Sequence, residues 1–280
     1  MNSGTNADKN PDKNPDRRPD TNPDTTPADN PAGNLTADPF IVTGAGGGIG
    51  GAVAAQLLGE GKKVIAVGRN LAGLCEKFSG YANCVCYGCD LSDEAEITYL
   101  IKTIVREQGA VRGLVHCAGF DKLSPLYLNK MDDVEALFKI HVFAPMTLCK
   151  LLSKRGNAAA GCSLVLISSL SAHEGAAGHT AYAAAKGALE GFLPTAACEL
   201  AARDIRINIV VPGVIRTRMS QGFIGKMTID QLESLNNSYP LGLGNPEDAA
   251  GMICFLLSEK AKWITGQKYI IDGGHMCRKA

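Results

Sequence analysis

The sequence predicts an α/β fold in which helices cover both faces of a parallel, doubly wound, Rossmann-like sheet. Short apolar runs alternate along most of the chain with segments of helical periodicity, which is the pattern of repeated βαβ units. The glycine-rich stretch GAGGGIG lies between the first apolar run and the first helical segment, an order typical of a phosphate-binding turn. Because right-handed crossovers bring the carboxyl ends of parallel strands to one edge, we expect the polar residues that follow these runs to converge there.

Seven apolar runs are predicted to be strands, near residues 39–43, 63–68, 83–88, 112–116, 163–168, 205–211 and 268–271. The region before the first run differs in composition, because proline recurs at every fourth residue from Pro11 to Pro31 and apolar side chains are scarce. Burial of apolar surface cannot offset the ordering entropy of such a segment, so we expect residues 1–37 to form a disordered tail. The remaining residues, 38–280, are enough for one large domain.

The first βα turn carries the small residues that binding of a nucleotide phosphate requires. Glycines allow a sharp turn, a close approach of backbone N–H groups to a pyrophosphate, and tight packing of the helix on its strand. A glycine-rich loop alone is weak evidence, but this one follows an apolar strand and precedes a helical pattern. The candidate residues of this phosphate loop are Gly44, Gly46, Gly48, Ile49 and Gly50.

The second predicted strand ends in Gly68-Arg69, at the place where a dinucleotide-binding fold recognises the adenosine ribose. An acidic residue there would bind the ribose 2′-hydroxyl and repel a 2′-phosphate. Gly68 instead leaves room, and the Arg69 guanidinium offers paired donors to a phosphate. The pattern therefore favours NADP(H) over NAD(H). The alternative is that Arg69 is a solvated side chain at a strand end, where loops often carry charge.

Tyr182 and Lys186 lie four residues apart in AYAAAKGALE, about one helical turn, so the phenol and the ammonium project from the same face of a helix. A cation beside a phenol favours the phenolate, so Lys186 is expected to lower the pKa of Tyr182. Ser169 ends the apolar run SLVLISS, where its hydroxyl can bind the substrate oxygen that Tyr182 protonates. Together these residues predict an acid site for carbonyl reduction. The alternative is a chance pair, since a tyrosine and a solvated lysine occur at this spacing on many helices.

The motifs TGAGGGIG at 43–50 and PGVIRT at 212–217, together with Ser169, Tyr182 and Lys186, resemble those of the short-chain dehydrogenase/reductase family. The length and the C-terminal layout are similar to those of 3-oxoacyl-acyl-carrier-protein reductases. The resemblance implies that Tyr182 is the general acid in reduction and the general base in oxidation. It also implies that Lys186 tunes Tyr182 and holds the nicotinamide ribose, that Ser169 orients the carbonyl, and that no metal is required.

The resemblance extends over residues 38–275 and assigns cofactor contacts outside the phosphate loop. Asp90 matches the acid that contacts adenine after the third strand, and Thr217 matches the residue that contacts the nicotinamide amide. The further cofactor contacts implied in this way are Arg69, Asp90, Leu91, Ala118, Gly119, Tyr182, Lys186, Pro212, Gly213, Ile215 and Thr217.

Two positions depart from the family pattern. His116-Cys117 precedes Ala118-Gly119 where family members carry two asparagines, which we interpret as a tolerated structural exchange. His141 occupies the fourth catalytic position, which is usually asparagine. Pro145 has no N–H for the carbonyl of His141, so that carbonyl is predicted to be free for the water that relays protons in the family. Our hypothesis is that His141 preserves this relay and that its imidazole joins it. The alternative is a packed, hydrogen-bonded histidine with no proton role.

Charge balance and apolar pattern argue against several classes of function. The 28 basic residues equal the 28 acidic ones, which does not indicate a nucleic-acid partner. No apolar run approaches the ~18–20 residues of a membrane helix, and the N-terminal segment lacks a signal peptide's apolar core, so we expect a cytoplasmic protein without a membrane partner. Most of the ten cysteines lie in apolar runs, which fits a reducing compartment. Cys84, Cys86 and Cys89 lack a second pair of ligands, so no metal site is predicted.

Three interpretations follow. The favoured one is an NADP(H)-dependent oxidoreductase that interconverts a ketone and a secondary alcohol, with 3-oxoacyl thioesters among the candidate substrates. The second is a nucleotide-binding protein with little or no turnover because of His141, and the third makes the tail an interaction spacer on a catalytic domain. Residues 218–240 are expected to cover the substrate as a mobile helical flap before a helix that begins at Pro246. The resemblance further implies a homo-oligomer, either a dimer or a tetramer.

Overall fold

A computed structural model describes Met1 and residues 38–277 of the chain. The predicted disordered tail, apart from Met1, lies outside the described residues, so both the tail and its boundary with the folded domain stay predictions. Within the described part, seven strands form one parallel sheet in the order β3-β2-β1-β4-β5-β6-β7. The predicted doubly wound α/β fold is therefore confirmed.

The strands are β1 Phe40–Thr43, β2 Val64–Gly68, β3 Cys84–Gly88, β4 Val111–His116, β5 Ala158–Ile167, β6 Ile205–Pro212 and β7 Lys268–Ile271. All seven predicted strands are present. The largest difference is at β5, which begins five residues before its predicted start at residue 163. Gly161 adopts a positive φ of 71° there, and the register with β4 shifts between Val111 and Gly113, so a bulge lets Ala158 pair with Val111.

The helices are α1 Gly48–Gly59, α2 Leu71–Lys77, α3 Glu94–Gln108, α4 Met131–Phe138, α5 Ala144–Leu152, α6 Thr180–Ala201, α7 Arg218–Ile224, α8 Ile229–Asn237 and α9 Pro246–Leu257. Their starts follow local chemistry. The Asp93 carboxylate accepts hydrogen bonds from the first N–H groups of α3, and Thr217 and Thr228 form capping boxes at α7 and α8. The helical content of the predicted flap and the helix beginning at Pro246 are thus confirmed, and motion of the flap stays a prediction.

Two hydrophobic cores lie on opposite faces of the sheet, because successive strand residues point to opposite sides. Ile41 of β1 faces a core built with α3, α5 and α6, and Val42 faces a core built with α1, α2 and α9. Every residue of β1 and every apolar residue of β2 is buried. This continuous burial explains why the central strands read as unbroken apolar runs rather than alternating ones.

A π-helical turn, Lys139–Phe143, joins α4 to α5 and contains His141. The Ala144 N–H donates to the Lys139 carbonyl, so it is not available to the carbonyl of Ile140. The next residue, Pro145, has no N–H and so cannot donate to the Ile140 carbonyl either. The Ile140 carbonyl instead accepts a hydrogen bond from Nε2 of His116 at 2.9 Å, which ties the turn to the end of β4.

Candidate active site

The carboxyl ends of the strands form one edge of the sheet, and the chain crosses to opposite sides of β1 there because β2 and β4 are its two neighbours. Such a switch point leaves a crevice between the diverging turns, which is where open α/β sheets bind ligands. The structure brings the predicted residues to this edge: the phosphate loop follows β1, Arg69 follows β2, Asp90 follows β3, and Ser169 follows β5.

The phosphate loop is packed too closely for side chains at three of its glycines. Gly44 has a positive φ of 67°, and a Cβ there would lie 2.7 Å from the backbone nitrogen of Ala118. A Cβ on Gly48 would lie 2.4 Å from the Thr217 side chain, and one on Gly50 would lie 2.5 Å from the carbonyl oxygen of Gly44. These positions keep the backbone open at the N-terminus of α1, where free N–H groups attract an anion.

Lys77 is a residue of this site that sequence reasoning missed. It ends α2, and its Nζ donates to the carbonyl of Ala45 at 3.1 Å and lies 3.5 Å from that of Gly47. Partial burial lowers the pKa of Lys77, and the positive charge of Arg218 at the start of α7 lowers it further. Two cations therefore lie beside the phosphate loop from different elements. No local pattern marks either residue, because they are about 30 and 170 residues from the loop.

The adenosine end of the crevice is polar and exposed. Oδ1 of Asp90 accepts hydrogen bonds from the N–H of Ser92 at 2.9 Å and from its hydroxyl at 2.8 Å. These bonds lower the pKa of Asp90, and the nearby charge of Arg69 adds to the effect. Leu91 is buried beneath them, and Arg69 is exposed. A guanidinium facing the solvent at this place can receive a phosphate without a large desolvation cost.

Tyr182 and Lys186 lie on α6 and are buried, with Nζ of Lys186 located 5.5 Å from the centroid of the tyrosine ring. The predicted arrangement on one helix face is therefore present. Nζ of Lys186 donates to the carbonyl of Ile167 at 2.7 Å, which fixes the ammonium beside the end of β5. Ser169, two residues further along, lies close enough to Tyr182 to lower the pKa of its phenol, and its hydroxyl caps a short 3₁₀ helix, Leu170–Ala172.

The protonation of this pair differs from the prediction that Lys186 lowers the pKa of Tyr182. Burial raises the pKa of Tyr182 above its ordinary value, the Asp121 carboxylate raises it further, and the nearby Ser169 hydroxyl acts in the opposite direction. Burial also lowers the pKa of Lys186 to about 7. The reason for the difference is that the lysine loses much of its charge near neutral pH in the same apolar surroundings that disfavour the phenolate.

His141 lies against the same tyrosine, with ring centroids 5.2 Å apart in an edge-to-face arrangement. Its ring is buried, and Nε2 lies 2.7 Å from the carbonyl oxygen of Phe120, which can only accept, so Nε2 carries the proton. Burial and the charge of Lys186 lower the pKa of His141 well below its ordinary value, so the ring is neutral. Nδ1 is buried without a protein partner in the described structure, and it presents an acceptor beside Tyr182. Participation of this imidazole in a proton relay stays a prediction.

Asp121 and His179 complete the surroundings of Tyr182, and sequence reasoning missed both. Nδ1 of His179 and Oδ2 of Asp121 lie 3.1 Å apart in ion-pair contact, without the alignment of a linear hydrogen bond. The contact raises the pKa of His179 above its ordinary value. The ring of His179 lies 6.4 Å from that of Tyr182. Asp121 follows β4 and His179 precedes α6, so the fold alone brings them together.

A buried carboxylate, Glu190, supports the site one helical turn after Lys186. It accepts hydrogen bonds from the Ser168 hydroxyl at 2.6 Å and from Nζ of Lys268 at 2.9 Å, and Nε2 of His173 lies 2.9 Å away. Glu190 thereby links α6, the end of β5, the 3₁₀ turn and β7. This network holds the strand end that carries Ser169 against the helix that carries Tyr182.

The remaining predicted residues lie along the same edge. A Cβ on Gly119 would lie 2.2 Å from Cε1 of His141, so Gly119 is required for the close approach of that ring. The Gly213 N–H donates to the Ile271 carbonyl at 2.9 Å, and Ile215 forms a bridge with Gly244. Pro212 ends β6, and Thr217 caps α7. Thr217 also lies directly against the phosphate loop at Gly48.

Two further observations concern metals and membranes. Among the described residues, no group of three or more His, Cys, Asp or Glu side chains is arranged to hold a metal ion. Over the same part of the chain, every helix is too short or too polar to cross a bilayer.

The residues of the crevice fit a dinucleotide. One part of the crevice suits a pyrophosphate, because it combines glycines whose Cβ positions are blocked, a helix N-terminus and the flanking cations Lys77 and Arg218. The buried Tyr182 lies in another part, where it can exchange a proton with a substrate.

Comparison with known proteins agrees with this geometry. Residues 44–276 match the family model described as enoyl-(acyl carrier protein) reductase. The chain is 35% identical over 234 residues to carbonyl reductase family member 4 of Xenopus laevis, covering 83% of this chain and 95% of that protein. It is 32% identical over 239 residues to the 3-oxoacyl-acyl-carrier-protein reductase of Thermotoga maritima, covering 84% and 96%.

Solved structures agree as well. A short-chain type dehydrogenase/reductase from Mycobacterium ulcerans superimposes with a TM-score of 0.79 at 32% identity, covering 87% of this chain and 91% of that one. ElxO with NADP bound has a TM-score of 0.77 at 29% identity, and 4-hydroxyisoleucine dehydrogenase with NADH has 0.80 at 27%; each comparison covers 86% of this chain and all of the other. The fold, the nucleotide crevice and these matches together show that the chain belongs to the short-chain dehydrogenase/reductase family of oxidoreductases.

Proposed function

We propose that the protein is an NADP(H)-dependent oxidoreductase that interconverts a ketone and a secondary alcohol. The observation that carries this proposal is the convergence of Ser169, Tyr182 and Lys186 beside the phosphate loop at one edge of the sheet. A phenol that lies beside a serine hydroxyl and an ammonium is suited to give a proton to a carbonyl oxygen or to take one from an alcohol. The family relationship supports the same chemistry.

In reduction, a bound nicotinamide dinucleotide supplies the hydride to the carbonyl carbon. The Tyr182 hydroxyl gives its proton to the developing alkoxide, which leaves a phenolate. Ser169 donates a hydrogen bond to the same substrate oxygen and so holds the carbonyl in line with Tyr182. Lys186, fixed by the Ile167 carbonyl, stabilises the phenolate while it carries its proton. In oxidation the same groups act in reverse, with Tyr182 as the base.

The proposed cofactor contacts follow the crevice from one end to the other. The phosphate loop and Lys77 hold the pyrophosphate, and Asp90 with Leu91 lies at the adenine. The residues proposed to hold the nicotinamide ribose and ring are Ala118, Gly119, Tyr182, Lys186, Pro212, Gly213, Ile215 and Thr217. His141 is proposed to preserve the proton path beside Tyr182 through its backbone carbonyl and the Nδ1 acceptor.

The first test is a hydride-transfer assay with NADPH and NADH against ketones, 3-oxoacyl thioesters and keto-sugars. We expect turnover, and we expect Tyr182→Phe to lower kcat by about 10²-fold or more because the proton donor is lost while the ring remains. His141→Asn is the second variant. Cofactor binding without turnover by either the native protein or His141→Asn would contradict the proposal and favour a nucleotide-binding protein.

The preference for NADP(H) is tested separately with Arg69→Ala. A charge-assisted bond to the 2′-phosphate contributes about 1.5–3 kcal/mol. We therefore expect the Kd for NADPH to rise by about 10-fold to 100-fold, with little change for NADH. Arg106→Ala removes another exposed arginine and is the matched control. Equal changes for both cofactors would contradict the selector role, and tighter binding of NADH by the native protein would contradict the preference itself.

A cytoplasmic location is also proposed, on the basis of the apolar pattern and the cysteine usage of the sequence, and a homo-oligomer is proposed on the basis of the family resemblance. The tail, residues 1–37, is proposed to be dispensable for turnover, since every proposed site residue lies between Gly44 and Arg218. Deletion of the tail that altered partners or location but not turnover would identify it as an interaction spacer.

A further inference from the structure

The structure gathers three thiols on the adenosine side of the sheet. Cys84 and Cys86 are two residues apart on the edge strand β3, so they share one face, and α2 packs on this strand. α2, which carries Cys75, packs on β3, and the Cys86 side chain interacts with those of both Cys84 and Cys75. Cys89, which the sequence places beside them, belongs to the core on the opposite face. The thiol cluster is therefore Cys75, Cys84 and Cys86, and only tertiary packing defines it.

Neither metal binding nor the proposed catalysis uses this cluster. No set of metal-binding side chains is present among the described residues, and the thiols belong to α2 and β3 and have no proposed role in catalysis. Cys75 is exposed, whereas Cys84 and Cys86 are half-buried. An accessible thiol in contact with a protected one is the arrangement from which a disulfide forms during thiol–disulfide exchange.

The helix that carries Cys75 is connected to the nucleotide crevice at both ends. α2 begins directly after Arg69, and its N-cap Asn70 accepts a hydrogen bond from the Gly73 N–H at 3.1 Å. At its last residue, Lys77 contacts the phosphate-loop carbonyls of Ala45 and Gly47. A change in the position of α2 relative to β3 therefore reaches two places where the dinucleotide binds.

We propose that Cys75 and Cys86 form a reversible disulfide and that this bond weakens dinucleotide binding. The pair Cys84–Cys86 is less suitable because two residues of one strand are separated by about 6.6 Å, near the upper limit for a disulfide, and their Cβ bonds are parallel. The sulfur atoms of Cys75 and Cys86 must approach each other to reach an S–S length of about 2.05 Å. That approach draws α2 towards the edge strand and displaces Lys77 and Arg69 from the crevice.

The oxidant is a low-molecular-weight disulfide such as oxidised glutathione. The thiolate of Cys75 attacks one sulfur of the oxidant, which forms a mixed disulfide and releases one thiolate. Cys86 then loses its proton to solvent and attacks the Cys75 sulfur, which forms the protein disulfide and releases the second thiolate. Two electrons pass to the oxidant. Burial raises the pKa of Cys86 to about 12, which makes it the protected, second thiol.

The experiment treats the full-length protein with oxidised glutathione or with dithiothreitol. Mass spectrometry of non-reduced peptides locates the disulfide, and fluorescence titration gives the Kd for NADPH and for NADH. We expect a Cys75–Cys86 linkage, a several-fold higher Kd in the oxidised protein, and full recovery with dithiothreitol. Cys75→Ser is expected to abolish both effects, whereas Cys198→Ser, which removes another exposed thiol, is expected to leave both unchanged.

Absence of a Cys75–Cys86 linkage after oxidation would overturn the proposal. A linkage that leaves both Kd values unchanged would overturn the coupling to the crevice, as would a rise in Kd that persists in Cys75→Ser. None of these measurements requires turnover, so the result does not depend on the proposed ketone chemistry.

Discussion

Tyr182 and Lys186 differ from free tyrosine and lysine because both side chains are buried in one apolar pocket at the end of β5. Burial disfavours the charged form of each, so the pKa of Tyr182 rises and the pKa of Lys186 falls to about 7. In the proposed mechanism, a protonated tyrosine is the form that reduction needs, and a protonated lysine is the form that stabilises its product. The pair is therefore best prepared for reduction at and below neutral pH.

We expect kcat/KM for reduction to be highest below pH 7 and to fall about tenfold per pH unit above it, because the charged fraction of Lys186 falls in that range. The rate is expected to fall, not rise, with pH because Lys186 loses its charge as the pH passes its lowered pKa. The measurement is a steady-state profile from about pH 5.5 to about pH 9 at saturating cofactor. A rate that stayed constant to the upper end would contradict this assignment.

Asp121 provides the matching test, because its negative charge raises the pKa of both Tyr182 and Lys186. In Asp121→Asn both pKa values should fall. The falling limb of reduction and the rising limb of alcohol oxidation, which needs the phenolate, are then both expected to move to lower pH. Asp133→Asn removes a carboxylate that pairs with Lys122 and is the control. Identical profiles for Asp121→Asn and the native protein would show that Asp121 has no tuning role.

At the scale of the elements, the π-helical turn determines how the two histidines are used. The turn frees the Ile140 carbonyl, and Pro145 cannot restore its partner, so Nε2 of His116 donates to it. Nδ1 of His116 then accepts from the Thr43 hydroxyl at 3.0 Å, and that oxygen accepts from the Ala118 N–H at 3.3 Å. Burial lowers the pKa of His116 to about 4, so the chain of bonds stays neutral at ordinary pH. His116, at a position where the family usually has asparagine, thus connects the π-helical turn to β1 and β4.

We expect His116→Leu to lower the free energy of unfolding by about 1–3 kcal/mol, because it leaves the Ile140 carbonyl unpaired. Thr43→Val should have a similar cost, since it leaves the Ala118 N–H without its acceptor. Chemical denaturation gives the free energy of unfolding of both variants and of the double variant, which together complete a double-mutant cycle. Because the residues share one network, the costs are expected to be non-additive by about 0.5–3 kcal/mol. Additive costs would show that the two bonds act independently.

At the scale of the whole molecule, α5 and α6 border a groove of about 670 Å³ whose lining includes Phe143, Met146 and Phe192. Phe143 is 51% exposed and Met146 is 40% exposed, which is high for side chains of this type. The family resemblance implies association through the long helices, and this surface lies on them.

We expect the native protein to sediment as a dimer or a tetramer, and we expect Met146→Asp to shift it towards the monomer because the charge would be buried without a partner. Leu71→Asp places the same charge on an apolar residue of comparable exposure on α2 and should not change the mass. Sedimentation velocity distinguishes the two variants. A monomeric native protein would contradict the prediction of an oligomer.

The sequence by itself determined the features that depend on neighbours along the chain. Apolar runs predicted the strands to within a few residues, the spacing of Tyr182 and Lys186 predicted their common helix face, and the glycines predicted the turn after β1. Each of these rests on local geometry, namely backbone torsions, helical period and side-chain alternation. The family motifs then assigned roles that no local rule supplies.

Only the tertiary structure decided which distant side chains meet. Asp121 and His179 beside Tyr182, Lys77 on the phosphate loop, and Cys75 rather than Cys89 in the thiol cluster are contacts between separate elements. The protonation states of Tyr182 and Lys186 are also decided by the tertiary structure, because their pKa values depend on burial by the whole fold. The physical reason is that desolvation and Coulomb interactions act through space, whereas a sequence pattern records only separation along the chain.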